Sequence, residues 1–323
     1  MTGLPEGLLL VDKPPGCTSH DVVEVVRKAL RQPRVGHTGT LDPFASGLLP
    51  LVLGRATRLA RFLPHSPKRY EGVLRLGTAT SSDDLTGDIV QREAPPPHDA
   101  VRAAAARFRG KVLQIPPAFS AKKVQGRRLY LLARKGQPLV ATPKSVEVFR
   151  FELEPGETEG DWTFVAEVSA GTYIRALARD LGKELGCGGA LVRLRRVAID
   201  PLHLAAAVPT GGVAAGQLRE RLLAATIPLE AMPLQLPSLH LDDEALARRF
   251  VSGLAVACSP DVPAGGCALF DPARKLLGIA EVTSGSARPI VVLPEPADPN
   301  EPHGPSDPEG LGRGRSPVAG GGL

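Results

Sequence analysis

Apolar and polar positions divide this chain into short strands and amphipathic helices. Residues 7–12 form an apolar run that ends at Lys13-Pro14-Pro15-Gly16, which predicts a strand followed by a turn. Thr18 and Ser19 then offer capping hydroxyls. Val22, Val25, Val26, Ala29 and Leu30 follow at helical spacing until Pro33. Residues 48–53 and 70–76 read as strands, and 55–63 as helical. The Ala- and Arg-rich residues 99–108 predict a helix, and 111–115 a strand closed by Pro116-Pro117. Residues 146–153 and 163–169 alternate and predict a hairpin. Gly171-Thr172 precedes a helix over 173–185, with Ile174, Leu177, Ala178 and Leu181 on its apolar face. Strands and helices mix without a regular βαβ rhythm, so the expected class is α+β on a mixed sheet.

The composition shifts near Val208, and Pro209-Thr210-Gly211-Gly212 marks a boundary. Beyond it lies a helical stretch near 217–225, then a second helix over 242–250. Proline-punctuated sequence leads to 239–241, and short strands are expected at 267–270, 276–282 and 289–293, which together predict a small β-rich module. From Pro294 the chain is rich in Pro, Gly and Ser and lacks large apolar residues. Such a stretch buries too little to fold and is expected to be disordered. The expected organisation is a first domain over 1–208, a connecting segment over 209–236, the C-terminal module over 237–293 and a tail over 294–323.

Composition narrows the classes. At 323 residues the chain exceeds one ordinary core, and 43% hydrophobic with 23% charged residues is a globular balance. No apolar run approaches the roughly 18–20 residues that cross a bilayer. The start lacks a basic stretch and a small-residue cleavage site, so a cytoplasmic location is expected. Cys17, Cys187, Cys258 and Cys267 form no Cys-x-x-Cys pair and no zinc spacing, and are read as reduced thiols. Walker loop, dinucleotide fingerprint and metal-ligand set are all missing, so no cofactor or metal is expected. A formal net charge of +5 suits a polyanionic partner.

Chemistry concentrates between Gly36 and Gly47. This stretch has neither helical nor strand period and reads as an ordered loop. Asp42, before Pro43, is either a turn aspartate bonded to a nearby backbone N–H or a reactive carboxylate. His37 in the same loop, and the flanking glycines that permit close approach of a ligand, favour the second reading. Arg175 lies off the apolar face of its helix, either solvated or paired with Asp42, which it would keep ionised and oriented. Tyr70 after Lys68-Arg69 suits an RNA surface, where a ring stacks on an unpaired base, or else a strand interior. Lys122-Lys123 with Arg127-Arg128, and Arg193 with Arg195-Arg196, are further basic clusters that together suggest a polyanion groove.

The loop Gly36-His37-Thr38-Gly39-Thr40-Leu41-Asp42-Pro43, continued by Ala45-Ser46-Gly47-Leu48-Leu49-Pro50, closely resembles the catalytic motif of the TruB family, the bacterial tRNA pseudouridine-55 synthases. Further blocks match in the family's order. They are Asp12-Lys13-Pro14 with Gly16; Lys68-Arg69-Tyr70; Gly77, Thr80, Ser82, Asp84 and Gly87; Pro116-Pro117 with Ser120-Ala121-Lys122; Gly171-Thr172-Tyr173-Ile174-Arg175; and Leu194-Arg195-Arg196. The resemblance spans residues 5–205 and implies a catalytic α+β domain on a long mixed, largely antiparallel sheet, followed by a PUA-like RNA-binding domain.

It also implies an isomerase that works without cofactor on the tRNA T stem-loop, as a monomer with no obligate protein partner. By resemblance, Asp42 is the essential carboxylate, Tyr70 stacks on a flipped uracil and Arg175 pairs with Asp42. His37 fills the space the base leaves, and Lys13, Tyr173 and Leu194 support the pocket. Lys68, Arg69, Lys122, Arg195 and Arg196 meet the RNA. Two rivals are a guide-RNA-dependent synthase that shares the motif and a non-catalytic RNA-folding protein.

Overall fold

The computed structural model describes residues 4–117, 123–124, 127–128, 142–212 and 214–294. Lys122 and the tail after Pro294 lie outside the described residues. Among those described, no helix is long and apolar enough to cross a membrane.

The architecture starts from strands that are apolar on both faces. β1 (Gly7–Lys13) leads to α1 (Ser19–Leu30), then to β2 (Val35–His37) and β3 (Ser46–Leu53). β1 and β3 pair antiparallel, with Leu10 opposite Pro50. Their side chains alternate between two apolar clusters. Leu9, Val11, Leu49 and Leu51 face α1 with its Val22, Val26 and Leu30, while Leu8, Leu10 and Leu48 face the other way. Such strands need cover on both faces. Thr18 caps α1 through a reciprocal capping box with Asp21. Ser19, expected to share the capping, instead lies inside the helix and turns its hydroxyl to the neighbouring loop.

The chain continues through β4 (Lys68–Leu76), the small hairpin β5 (Thr78–Thr80) and β6 (Ile89–Arg92), α2 (His98–Ala106) and β7 (Gly110–Gln114). Next come a short pair, β8 (Lys123–Val124) and β9 (Arg127–Arg128), and the hairpin β10 (Lys144–Pro155) and β11 (Asp161–Val168). α3 (Ile174–Glu184), β12 (Gly189–Ile199), β13 (Leu202–His203) and β14 (Val208–Pro209) follow. The main sheet runs β14-β1-β3-β12-β4-β11-β10-β7, with β2 on β3 and β13 on β12. Only β1 with β14 and β3 with β12 are parallel, so the sheet is mixed and largely antiparallel.

Two expectations change. Arg193, Arg195 and Arg196 do not form one surface cluster: they lie on β12, a central strand between β3 and β4, where Arg193 is exposed, Arg195 half-buried and Arg196 fully buried. Register shifts between Leu191 and Arg193 and between Arg196 and Ala198 break its alternation, which hides it from periodicity. The segment over 209–236 is more than a connection. In it α4 (Ala215–Ala224) buries Leu218 and Leu222 in the α1-side cluster, and Ile227 bridges to Leu8 of β1.

The last part is a five-stranded sheet built from β15 (Ser238–His240), β16 (Val256–Ala257), β17 (Gly265–Phe270), β18 (Leu276–Thr283) and β19 (Ser286–Val292), with α5 (Glu244–Val251) packed on it. This β-rich sheet fits the PUA-like fold expected there.

Candidate active site

The loop over 38–45 hangs between β2 and β3 and is pinned from several sides. Thr38 N–H donates to Pro50 O at 3.1 Å, and Gly16 N–H to Pro43 O at 2.8 Å. The Ser19 hydroxyl accepts from Leu41 N at 2.9 Å and donates to Leu41 O at 3.3 Å. Lys13 is fully buried, and its ammonium donates to Cys17 O (2.6 Å), Pro14 O (2.9 Å) and Pro43 O (3.3 Å). Burial lowers the Lys13 pKa, and Cys17, Asp42 and Asp21 act against that shift. The carbonyl that follows Asp42 is therefore fixed by both a backbone amide and a buried cation.

Asp42 meets Arg175 across the sheet. Arg175 Nε donates to Oδ2 at 2.9 Å and Nη2 to Oδ1 at 3.0 Å, a two-pronged ion pair. The Arg175 side chain is 4% exposed, against 34% for Asp42, so the carboxylate is the accessible partner and the guanidinium backs it. Arg175 is thus no solvated arginine. Its Nη1 also donates to Ser82 O at 2.9 Å and lies 3.7 Å from Asp84 Oδ2. Asp84 in turn accepts from the Ser82 hydroxyl at 2.9 Å, from Thr86 N at 3.0 Å and from the Thr86 hydroxyl. The polar segment after β5 is tied to β12 by Leu85 N–H to Leu191 O and Leu191 N–H to Asp83 O.

Tyr70 on β4 lies opposite Arg196 on β12, and Leu194 lies opposite Gly72, so the three side chains share one sheet face. Tyr70 and Leu194 are buried in the same apolar cluster as Leu41, the residue before Asp42. Arg196 corrects an expectation. It is fully buried and donates to Leu48 O at 2.8 Å and Gly39 O at 2.9 Å, so it holds the loop from beneath and does not reach RNA. Arg195 points to the other face and pairs with Asp12 at 2.6 Å and the Ser46 hydroxyl at 3.2 Å. Arg69 is exposed on the face opposite Tyr70, 3.7 Å from Glu71.

His37 is half-buried on β2 opposite Leu51. Burial, then Arg196 and His20, lower its pKa and favour the neutral ring. Lys68 shares the Tyr70 face by strand alternation. Burial, with Arg196 and Lys144 nearby, lowers its pKa to about 8. Tyr173 caps α3 without using its side chain. Its backbone is held by Gln114, which sequence reading passed over together with the role of Asp84. Asp84 stands in a motif block to which the sequence assigns no role. Gln114 carries only its place before Pro116-Pro117.

The chain resembles known proteins over most of its length. Residues 27–174 match the TruB family pseudouridylate synthase (N terminal domain). The tRNA pseudouridine synthase B of Burkholderia mallei is 40% identical over 291 residues, 88% of this chain and 95% of the relative. That of Synechococcus elongatus is 41% identical over 300 residues, 89% and 98% of the two chains. Among solved structures, a chain of a Cbf5-Nop10-Gar1 complex superposes with a TM-score of 0.62 at 27% identity, over 87% of this chain and 80% of that one. A chain of an H/ACA RNP bound to a substrate RNA containing 2'-deoxyuridine shares the fold with a TM-score of 0.64 at 24% identity, over 91% and 87%. With identity of this level along nearly the whole length of its relatives, this chain belongs to the TruB family of pseudouridylate synthases.

Proposed function

We propose that this chain converts uridine-55 in the T-loop of tRNA to pseudouridine, with Asp42 as the catalytic carboxylate. The observation that carries the reading is the two-pronged ion pair between half-exposed Asp42 and buried Arg175. The relatives covering nearly the whole chain are tRNA pseudouridine synthases. In this reaction the N1–C1′ bond breaks and a C5–C1′ bond forms, while C5 loses a proton and N1 gains one. Nothing is oxidised or reduced, and no cofactor enters the balance.

The base leaves its stack at a cost of a few kcal/mol. Tyr70 stacks on the extruded uracil beside Leu194, which offsets part of that cost. Arg175 keeps Asp42 ionised and aims it at the sugar. An ionised carboxylate serves both routes, attack at C1′ and assistance to cleavage with a proton shift on the sugar. His37 takes the space the base leaves. Lys68, Arg69 and Arg195 meet phosphates, and Lys13 and Tyr173 support the loop and the helix start.

The enzyme acts on bare tRNA as a monomer with no obligate protein partner. The 40% identity to tRNA pseudouridine synthase B favours this over a guide-RNA-dependent synthase, since the H/ACA chain is 24% identical. The test uses one T stem-loop RNA. Wild type should form pseudouridine, while Asp42→Asn, nearly isosteric, should form none and still bind the RNA with affinity close to wild type. Normal yield from Asp42→Asn removes Asp42 from the mechanism, and no yield from the pure wild type points to a guide or partner.

A further inference from the structure

The start of α3, which carries Arg175, has no side-chain cap of its own. It is held from another element. Gln114, the last residue of the edge strand β7, is 2% exposed. Its side-chain amide makes both bonds that a backbone partner would make. Tyr173 N–H donates to Gln114 Oε1 at 3.0 Å, and Gln114 Nε2 donates to Tyr173 O at 3.1 Å.

Tyr173 is the capping residue of α3, and its carbonyl also accepts the first helical bond, from Leu177 N at 3.2 Å. Arg175 follows two residues later. Where Tyr173 sits sets where the Arg175 stem begins, and so where its guanidinium meets Asp42. The next support upstream is a turn in which the Thr172 hydroxyl donates to Ser169 O at 2.9 Å. That turn is tied to β10, where Ser169 N–H donates to Glu147 O at 2.8 Å and the Ser169 hydroxyl accepts from Glu147 N at 2.9 Å, but it lies four residues before Tyr173 and leaves the Tyr173 backbone to Gln114.

We infer that Gln114 is a positioning residue for catalysis, acting through Tyr173 and Arg175 on Asp42. The inference rests on the reading of Asp42 given above. A two-pronged ion pair tolerates little displacement, and a misplacement of about 1 Å far from the reacting atoms can lower a rate on the order of a hundredfold. Both bonds of the Gln114 amide go to the uncharged Tyr173 backbone, so its loss leaves the Asp42 and Arg175 charges intact and changes only their placement. It also lines a cavity of about 260 Å³ with Pro116, Lys144, Val146, Gly171 and Tyr173, so the helix start has room to shift when it is released.

The test is single-turnover pseudouridine formation on a T stem-loop RNA by wild type, Gln114→Met and Gln114→Glu. Methionine keeps the length and suits the buried site but makes neither bond. Glutamate still accepts from Tyr173 N–H but sets a carboxylate against Tyr173 O. The expected result for Gln114→Met is a rate constant at least about tenfold lower, with full reaction amplitude and RNA affinity within about twofold of wild type. A role in folding alone gives the opposite pattern, lower amplitude at the wild-type rate constant, and overturns the inference, as does an unchanged rate. Should Gln114→Met not fold, Gln114→Glu decides on the same criteria. An inactive wild type in the same assay defeats the underlying reading of function, and is thereby told apart from failure of the Gln114 inference.

Discussion

Lys68 is a half-buried cation among cations. Burial, then Arg196 and Lys144, bring its pKa down from 10.5 to about 8. The unfolded chain keeps the ordinary value. Between about pH 8 and 10.5 the unfolded state therefore binds more protons than the folded one. Stability gains from this residue as pH rises through that window, and the folded state bears the full penalty below pH 8. A lysine held charged at neutral pH against such a penalty suits a place awaiting an anion. Lys68 shares its sheet face with Tyr70, so on the function proposed above an RNA phosphate is the fitting partner. Phosphate binds the charged form, so RNA affinity should fall as pH rises past about 8. Measured on Asp42→Asn protein to avoid turnover, affinity should drop between pH 7 and 9, and adding Lys68→Met should flatten the drop. Equal slopes with and without Lys68 would mean that it meets no phosphate.

At the scale of elements, the parallel seam between β3 and β12 sets the site, and it is only two residue pairs long, Ser46 with Arg195 and Gly47 with Arg196. Gly47 has φ +104°, and a Cβ there would lie 2.3 Å from Arg196 O and 2.8 Å from Arg196 N. Gly47→Ala should thus cost at least about 1–3 kcal/mol from backbone strain, before the clash is counted. It should also disturb Arg196, which holds the loop from beneath. Gly36→Ala is the matched control, since its nearest atom lies at 3.5 Å. Urea unfolding should separate the two variants clearly, and equal midpoints would show that the close approach is not limiting.

The same seam explains what could be read in the sequence. The loop announces itself through its glycines, β1 through its apolar run, and β10, β11 and α3 through their periods. The register shifts of β12 erase its period, so its arginines look like surface charge. Arg175 looks solvated because its partner lies 133 residues away in sequence. Only the ordered motifs supplied that pairing, and they said nothing of the Gln114 amide that holds the helix start.

At the scale of the whole molecule, the C-terminal sheet covers the second apolar face of the main sheet. Leu8, Leu10, Leu48, Val52, Leu59 and Ile199 form one cluster with Ala268, Phe270, Leu276, Ile279, Val291 and Leu293. Two arginines of the 3-10 helix Gly54–Phe62 fasten the end of that sheet. Arg55 donates to Pro294 O at 2.7 Å and Arg58 to Val292 O at 2.6 Å. Arg55 also meets Glu6 at 2.6 Å, which joins the fastening to the chain just before β1. A module tethered only for RNA binding could be removed without harm to the rest. This one could not, because its loss opens a contiguous apolar face on strands that carry the candidate active-site loop. A chain ending at residue 236 should therefore aggregate or unfold at much lower urea than the full chain. The full chain should unfold in a single transition that spans both sheets. The decisive measurement is urea unfolding followed by circular dichroism and by Trp162 fluorescence, since Trp162 is buried in the main sheet and far from the module in sequence. If the shortened chain kept the full chain's Trp162 midpoint, the C-terminal sheet would be an RNA-binding appendage and not the second cover of the main sheet.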